Sequence, residues 1–345
     1  MQLIKTPTKG MNDYLPRETR LREYVKGVII RAYEKNGFSM IETPAVEHIE
    51  NLTGKNGGDN EKLIFKIMKR GEKLNEAAGN DAELCDSGLR YDLTVPLSRY
   101  YANNQAKLPS PFMAMQIGNV WRADRPQKGR FRQFTQCDID ILGDSTQLAE
   151  ITLISATTGV LRELGFDNFT VRINDRRLLK VCADYCGFKP EDCDKVFITL
   201  DKMDKIGLDG VKRELVEEDF DEASVEKYVA LYENCDAVSV SEFAADRLGG
   251  NGADIAASLE SIMRCATAAT AGGCSLNFDP TLVRGMSYYT GTIFEISMDG
   301  YGYSVGGGGR YDEMLAKFSG QKTPACGFSL GFERIVAALA DRGFE

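Results

Sequence analysis

The residues best suited to chemistry lie close together. Residues 122–132 (RADRPQKGRFR) hold five bases and one acid, in a chain of 345 residues whose formal net charge is -9. A guanidinium is planar and donates two parallel hydrogen bonds, so it suits phosphate and carboxylate better than an ammonium does. A single arginine on a strand more commonly ends in a surface ion pair. Five bases around one tight loop weaken that reading and point to a place where anions are held. The counterpart is 214–222 (ELVEEDFDE), with six acids and no base, which reads as a solvated helix face. Overall acidity argues against a protein that coats nucleic acid nonspecifically, because displacing counterions requires a basic face.

Other chemistries are poorly supplied. His48 is the only histidine, which leaves no His-rich metal cluster and no set of histidine catalysts; it reads as a structural or surface residue. Nine cysteines lie at 85, 137, 182, 186, 193, 235, 265, 274 and 326 without a CxxC pair, so neither a disulfide framework nor a zinc site is expected, and no residue is assigned as a metal ligand. The run Gly306 to Gly309 is neither a GxxxxGK[ST] loop nor a GxGxxG turn. It reads as a tight turn or a close backbone approach ahead of a ligand contact.

These side chains need elements to position them. A composition of 43% hydrophobic and 27% charged residues is that of an ordinary soluble chain, long enough for one large domain with an insertion or for two domains. No apolar run approaches bilayer length, and the start, Met1 to Pro7, lacks a secretory pattern; a cytosolic, membrane-free protein is expected. Pro16 opens a predicted helix whose apolar positions Leu21, Tyr24, Val25, Val28, Ala32 and Tyr33 recur at helical spacing up to Gly37. Phe38 to Thr43 alternates like a strand and stops at Pro44. Strands around Phe112 to Trp121 and Arg132 to Leu142 form an antiparallel hairpin with a basic tip. A strand from Phe169 to Ile173 precedes Asn174-Asp175, a plausible helix cap, and a mostly helical stretch runs from about 176 to 274. Strand character resumes from Tyr288 to Ile296, and a helix is predicted from Phe332 to Leu339.

The most specific stretch is GNVWRADRPQKGRFRQFTQ (118–136). It resembles motif 2 of class II aminoacyl-tRNA synthetases in the form carried by histidyl-tRNA synthetases. Residues 37–44 resemble motif 1, and GFSLGFER (327–334) resembles motif 3. LVRGMSYY (282–289) and GGGRYD (307–312) are similar to signatures of the histidine enzymes. With LRYDLT (89–94) these motifs occur in family order over nearly the whole chain.

The resemblance implies an α+β class II catalytic fold, an antiparallel β-sheet flanked by helices with a helical insertion: catalytic parts at 1–175 and 275–345, and the insertion at 176–274. It implies a homodimer and a two-step ligase reaction, in which L-histidine and ATP give histidyl-adenylate and pyrophosphate, and histidine then passes to the 3′ end of tRNA(His). By resemblance Arg122 contacts the α-phosphate and the substrate carboxylate, and Arg284 stabilises the pentavalent transition state. Asp124 and Arg130 belong to the ATP site, Arg130 on the outer phosphates, and Phe134 and Arg334 face adenine from either side. Asp92, Leu93, Thr94 and Gln136 belong to the histidine site, where Asp92, Thr94 and Gln136 take the α-amino group. Asp140 and Tyr289, helped by Tyr288, take the imidazole nitrogens. Of two adjacent tyrosines on a strand, one normally points away, which favours Tyr289. Arg125, Gln127 and Lys128 are placed against the tRNA acceptor stem, and magnesium is expected on the phosphates.

There are departures. Ser287 stands where the family usually has Asp. The chain stops at Glu345, just past motif 3, where the family continues into an anticodon-binding domain; a fragment or a truncated paralogue is expected. Two other readings share the fold: a non-catalytic regulatory subunit of ATP phosphoribosyltransferase, and a pseudo-synthetase module that senses uncharged tRNA. Intact Arg122, Arg284 and Arg334 argue against both.

Overall fold

A computed structural model describes residues 3–53, 58–80, 83–126, 130–235, 238–284 and 288–343. The chain divides into two compact units, the first made of 1–140, 317–321 and 329–345, the second of 141–316 and 322–328.

In the first unit the helix Pro16–Lys35 begins with Pro at its first turn, and Glu18 reaches back to the Leu15 N–H at 2.7 Å. Val25, Val28, Ile29, Ala32 and Tyr33 are buried along one stripe, whereas Tyr24 is 43% exposed. Arg22 is buried in the same stripe because it has a carboxylate partner there, described below. The motif 1 strand is shorter than its alternation suggests: only β1 (Ser39–Met40) forms. A three-stranded antiparallel sheet joins β2 (Val46–His48) and β3 (Lys66–Met68) to either side of β4 (Cys85–Leu89). His48 is exposed on it. The hairpin strands are β5 (Phe112–Trp121) and β6 (Gln133–Leu142), as their alternation predicts, and β1 runs parallel to β5.

The second unit carries β7 (Phe169–Asp175), β8 (Ser275–Phe278), β9 (Thr292–Met298), β10 (Ser304–Arg310) and β11 (Ala325–Leu330) up to Phe328, in the spatial order β11-β10-β9-β7-β8. β10 and β9 pair antiparallel, as do β9 and β7, but β7 and β8 are parallel. The sheet is therefore mixed rather than antiparallel. The physical reason is the connection: between β7 and β8 the chain passes through helices from Arg176 to Ala269, and a long crossover returns a strand in the same direction. Asp175 caps the first of these helices, its carboxylate accepting from the Arg177 N–H at 2.8 Å. Rings of Phe188, Tyr228, Tyr232, Phe243 and Phe278 pack successively, at centroid distances from 5.1 to 6.4 Å.

The glycine run lies inside β10, so it is a strand and not a turn. Its close approach is real. A Cβ on Gly308 would run into the Gly327 carbonyl oxygen, so only glycine lets these backbones meet.

Candidate active site

The first unit builds a rigid cation frame. Arg90 is buried and donates to the carbonyls of Asn119 at 2.9 Å and Thr43 at 2.7 Å, tying the motif 1 end to β5. Gly118 must be glycine here, because a Cβ would meet the Arg90 guanidinium. Arg22 donates to both oxygens of Glu333, at 2.5 and 2.8 Å, and Glu333 also accepts from the Thr135 N–H at 3.0 Å. Burial works against the Arg22 charge, but Glu333 outweighs it and holds the guanidinium above its ordinary pKa. One ion pair thus fixes the helix Pro16–Lys35, β6 and the start of the helix Phe332–Asp341, which carries Arg334. A cavity of about 240 Å³, lined by Tyr14, Arg22, Lys26, Phe134, Thr135 and Glu333 among others, surrounds the pair.

Arg122 donates from Nε to the Tyr91 carbonyl at 2.9 Å, and its guanidinium carbon lies 5.2 Å from the Phe134 ring centroid. Asp124 accepts from Arg130 at 3.1 Å; Arg130 is exposed. Arg125 is exposed, while Gln127 and Lys128 lie outside the described residues.

Around Arg122 the same unit gathers acceptors. Asp92 is 2% exposed. Its Oδ1 accepts from the Val95 N–H at 3.0 Å at the start of the helix Thr94–Asn104, and its Oδ2 has no partner. Burial raises its pKa; the Val95 N–H, Arg122 and the Thr94 N–H pull it back. Gln136 donates from Nε2 to the Ser329 hydroxyl at 3.3 Å and leaves Oε1 unpaired. Asp140 is buried on the same strand. Leu93 does not join this group by its side chain, which is 1% exposed in the core, and its carbonyl accepts from Gln116 at 3.0 Å and from the Leu97 N–H at 3.1 Å.

The second unit holds the other cation. Arg284 has φ 63°, a left-handed conformation unusual for a residue with a side chain, of the kind that collects at functional sites. Its Nη1 donates to Glu295 at 2.5 Å and its buried Nε has no partner. Glu295 is steadied from behind by Arg172 at 3.5 Å, which also pairs with Asp279 at 2.5 Å. Burial opposes the Arg284 charge, while Tyr289 and Glu295 together raise its pKa. A Cβ on Gly307 would lie 2.6 Å from Arg284 Nη1, so the glycine run clears room for this arginine. Tyr288 and Tyr289 precede β9 instead of lying on it, and strand alternation does not separate them: their ring centroids are 4.7 Å apart, and the Tyr289 hydroxyl bonds to the side chains of both Tyr288 and Arg284. Ser287 lies outside the described residues.

Sequence reasoning passed over Arg22, Glu333, Arg90, Glu295, Asp138 and Ser329. Two of these had a signal. Arg22 interrupts an apolar helical stripe, and Asp138 stands midway between Gln136 and Asp140 on a strand, where period 2 puts all three on one face.

Comparison with known proteins gives the family and the fold. A family model described as histidyl-tRNA synthetase matches residues 10–335. The histidine--tRNA ligase of Leifsonia xyli subsp. xyli is 49% identical over 342 residues, covering 96% of this chain and 79% of that protein. A solved histidyl-tRNA synthetase from Nostoc sp. PCC 7120 superposes with a TM-score of 0.83 at 27% identity, over 100% of this chain and 77% of that one. A Bacillus halodurans C structure described as an ATP phosphoribosyltransferase regulatory subunit/histidyl-tRNA synthetase gives 0.82 at 23% identity, over 98% and 84%; it speaks to the fold alone. The fold is the α+β fold of class II aminoacyl-tRNA synthetases. The chain belongs to the histidyl-tRNA synthetase family.

Proposed function

We propose that the chain activates L-histidine with ATP, giving histidyl-adenylate and pyrophosphate, and then transfers histidine to the 3′ end of tRNA(His). The observation that carries this is the pairing of buried, unpartnered acceptors, Asp92 Oδ2 and Gln136 Oε1, with Arg122, which interacts electrostatically with Asp92. An α-amino acid carries an ammonium and a carboxylate on one carbon. Unpaired buried acceptors beside an arginine suit that zwitterion, since each orphan costs about 1–3 kcal/mol until a donor arrives.

In this reading Asp92, Thr94 and Gln136 take the ammonium, and Arg122 takes the carboxylate and the α-phosphate. Asp140, Tyr288 and Tyr289 take the imidazole nitrogens. A pocket that pairs both nitrogens rejects an apolar analogue by about 10⁴ to 10⁵, because the analogue leaves buried polar groups unpaired. Phe134 and Arg334 hold adenine, and Asp124 and Arg130 the outer phosphates. Arg284 meets the charge that develops as the histidine carboxylate oxygen bonds to phosphorus and pyrophosphate leaves. Magnesium enters with ATP as part of the substrate. In this reading 1–175 and 275–345 are the catalytic parts and 176–274 is an insertion. The enzyme works as a cytoplasmic homodimer, and Arg125, Gln127 and Lys128 meet the acceptor stem.

Mass spectrometry of the chain mixed with histidine and MgATP tests the reading. Histidyl-adenylate is expected, and histidinylated RNA once tRNA(His) is added. Absence of adenylate at saturating substrates would return the regulatory-subunit reading, which the intact Arg122 and Arg284 now disfavour.

A further inference from the structure

Asp138 faces the same side of β6 as Gln136 and Asp140, by strand alternation. It is 5% exposed, and its Oδ1 has no hydrogen-bond partner. Its carboxyl also bonds to the Ser329 side chain. The Ser329 hydroxyl therefore stands between two groups: it accepts from Gln136 Nε2 at 3.3 Å, and it lies against the Asp138 carboxyl. The Gln136 amide donates to Ser329 through Nε2, and Oε1 is left without a partner.

The result is an array of three unpaired acceptor atoms, Asp92 Oδ2, Gln136 Oε1 and Asp138 Oδ1, all buried in the first unit. Asp138 interacts electrostatically with Asp140, Asp92 and Arg122. We propose that Asp138 is a further binding residue for the substrate's ammonium, and that through Ser329 it also orients the Gln136 amide toward the same group. The assignment rests on reading the pocket as one for an α-amino acid. An ammonium is a multiple donor, which suits a cluster of unpaired acceptors, and it carries the charge that a buried carboxylate set lacks. Burial first, and Asp140 next, hold the Asp138 carboxyl well above the usual carboxylate range in the empty protein, as expected of a group whose counter-charge comes with the substrate.

The test compares three ligands by equilibrium binding to the whole chain and to Asp138→Asn: histidine, histidinol, which keeps the ammonium and lacks the carboxylate, and imidazolepropionate, which lacks the ammonium. Histidine and histidinol should each bind about tenfold or more weakly to the variant, the scale of one charge-assisted hydrogen bond. Imidazolepropionate should stay within about twofold, and Ser329→Ala should show the same selectivity at smaller amplitude. Equal weakening of all three ligands, as from a merely structural role, overturns the proposal, and so does unchanged histidine binding. If Asp138→Asn does not fold, Ser329→Ala decides alone by the same criterion. Failure of the unsubstituted chain to bind histidine would overturn the amino-acid reading itself, a different result from a selective test that fails.

Discussion

In the proposed reaction Arg284 is the residue on which the chemistry turns, and its setting explains how this cation is held. Glu295 holds Nη1, the Tyr289 hydroxyl bonds to the same side chain, and the buried Nε is unpaired. Arg284→Ala should slow adenylate formation by about a hundred- to a thousandfold, the usual loss when one preorganised donor leaves a transition state. Histidine affinity should fall far less, because the charge is needed where negative charge develops. Equal losses in both, measured by rapid quench and by equilibrium binding, would place Arg284 in ground-state binding. Asp138 gives a pH prediction. Its pKa is raised in the folded empty protein, so the folded state keeps a proton that the unfolded chain releases. Its contribution to stability is full below the ordinary carboxylate pKa and is lost as pH rises toward the raised value. Asp138→Asn should therefore gain thermal stability relative to the unsubstituted chain between pH 4 and pH 8, a trend that a constant difference in Tm would contradict. Resemblance marked out the arginines as candidates; Asp138 and Ser329 it did not, because their significance lies in side-chain contacts that only the folded chain reveals.

At the scale of elements, the Arg22–Glu333 pair is the joint of the first unit. Both side chains are about nine-tenths buried, so removing one leaves an uncompensated charge. Arg22→Ala should cost about 3–5 kcal/mol in urea unfolding, and replacing both partners by Met and Leu should restore much of it. A loss under 1 kcal/mol would mean that water reaches the pair. Gly308→Ala should prevent β10 from seating against Gly327, seen as loss of soluble folded protein. Periodicity gave β5 and β6 nearly to the residue, since alternation over ten positions is a strong signal. It overextended the motif 1 strand, because alternation of side chains does not guarantee a partner strand to pair with. It also misjudged the glycine run. Four glycines have no side-chain pattern, so nothing local says that they pair with β9 or that Gly307 makes room for Arg284.

The whole molecule is acidic, and its densest positive charge is the loop at 122–132. In the proposed function tRNA(His) meets that loop, which would neutralise few phosphates, so a plot of log K against log salt should have a slope no steeper than about -4. A much steeper slope would show a second basic surface. Among the described residues no helix is long and apolar enough to cross a membrane. Family membership was legible from six motifs in order; the parallel pairing of β7 with β8 was not, because it depends on where a long helical excursion returns the chain. The central claim is that this chain makes histidyl-adenylate, and exchange of labelled pyrophosphate into ATP tests it most directly. Exchange should require histidine and magnesium, should ignore the other nineteen amino acids, and should fall at least a hundredfold in Arg284→Ala. Exchange at background level with histidine, or equal exchange with another amino acid, would contradict it.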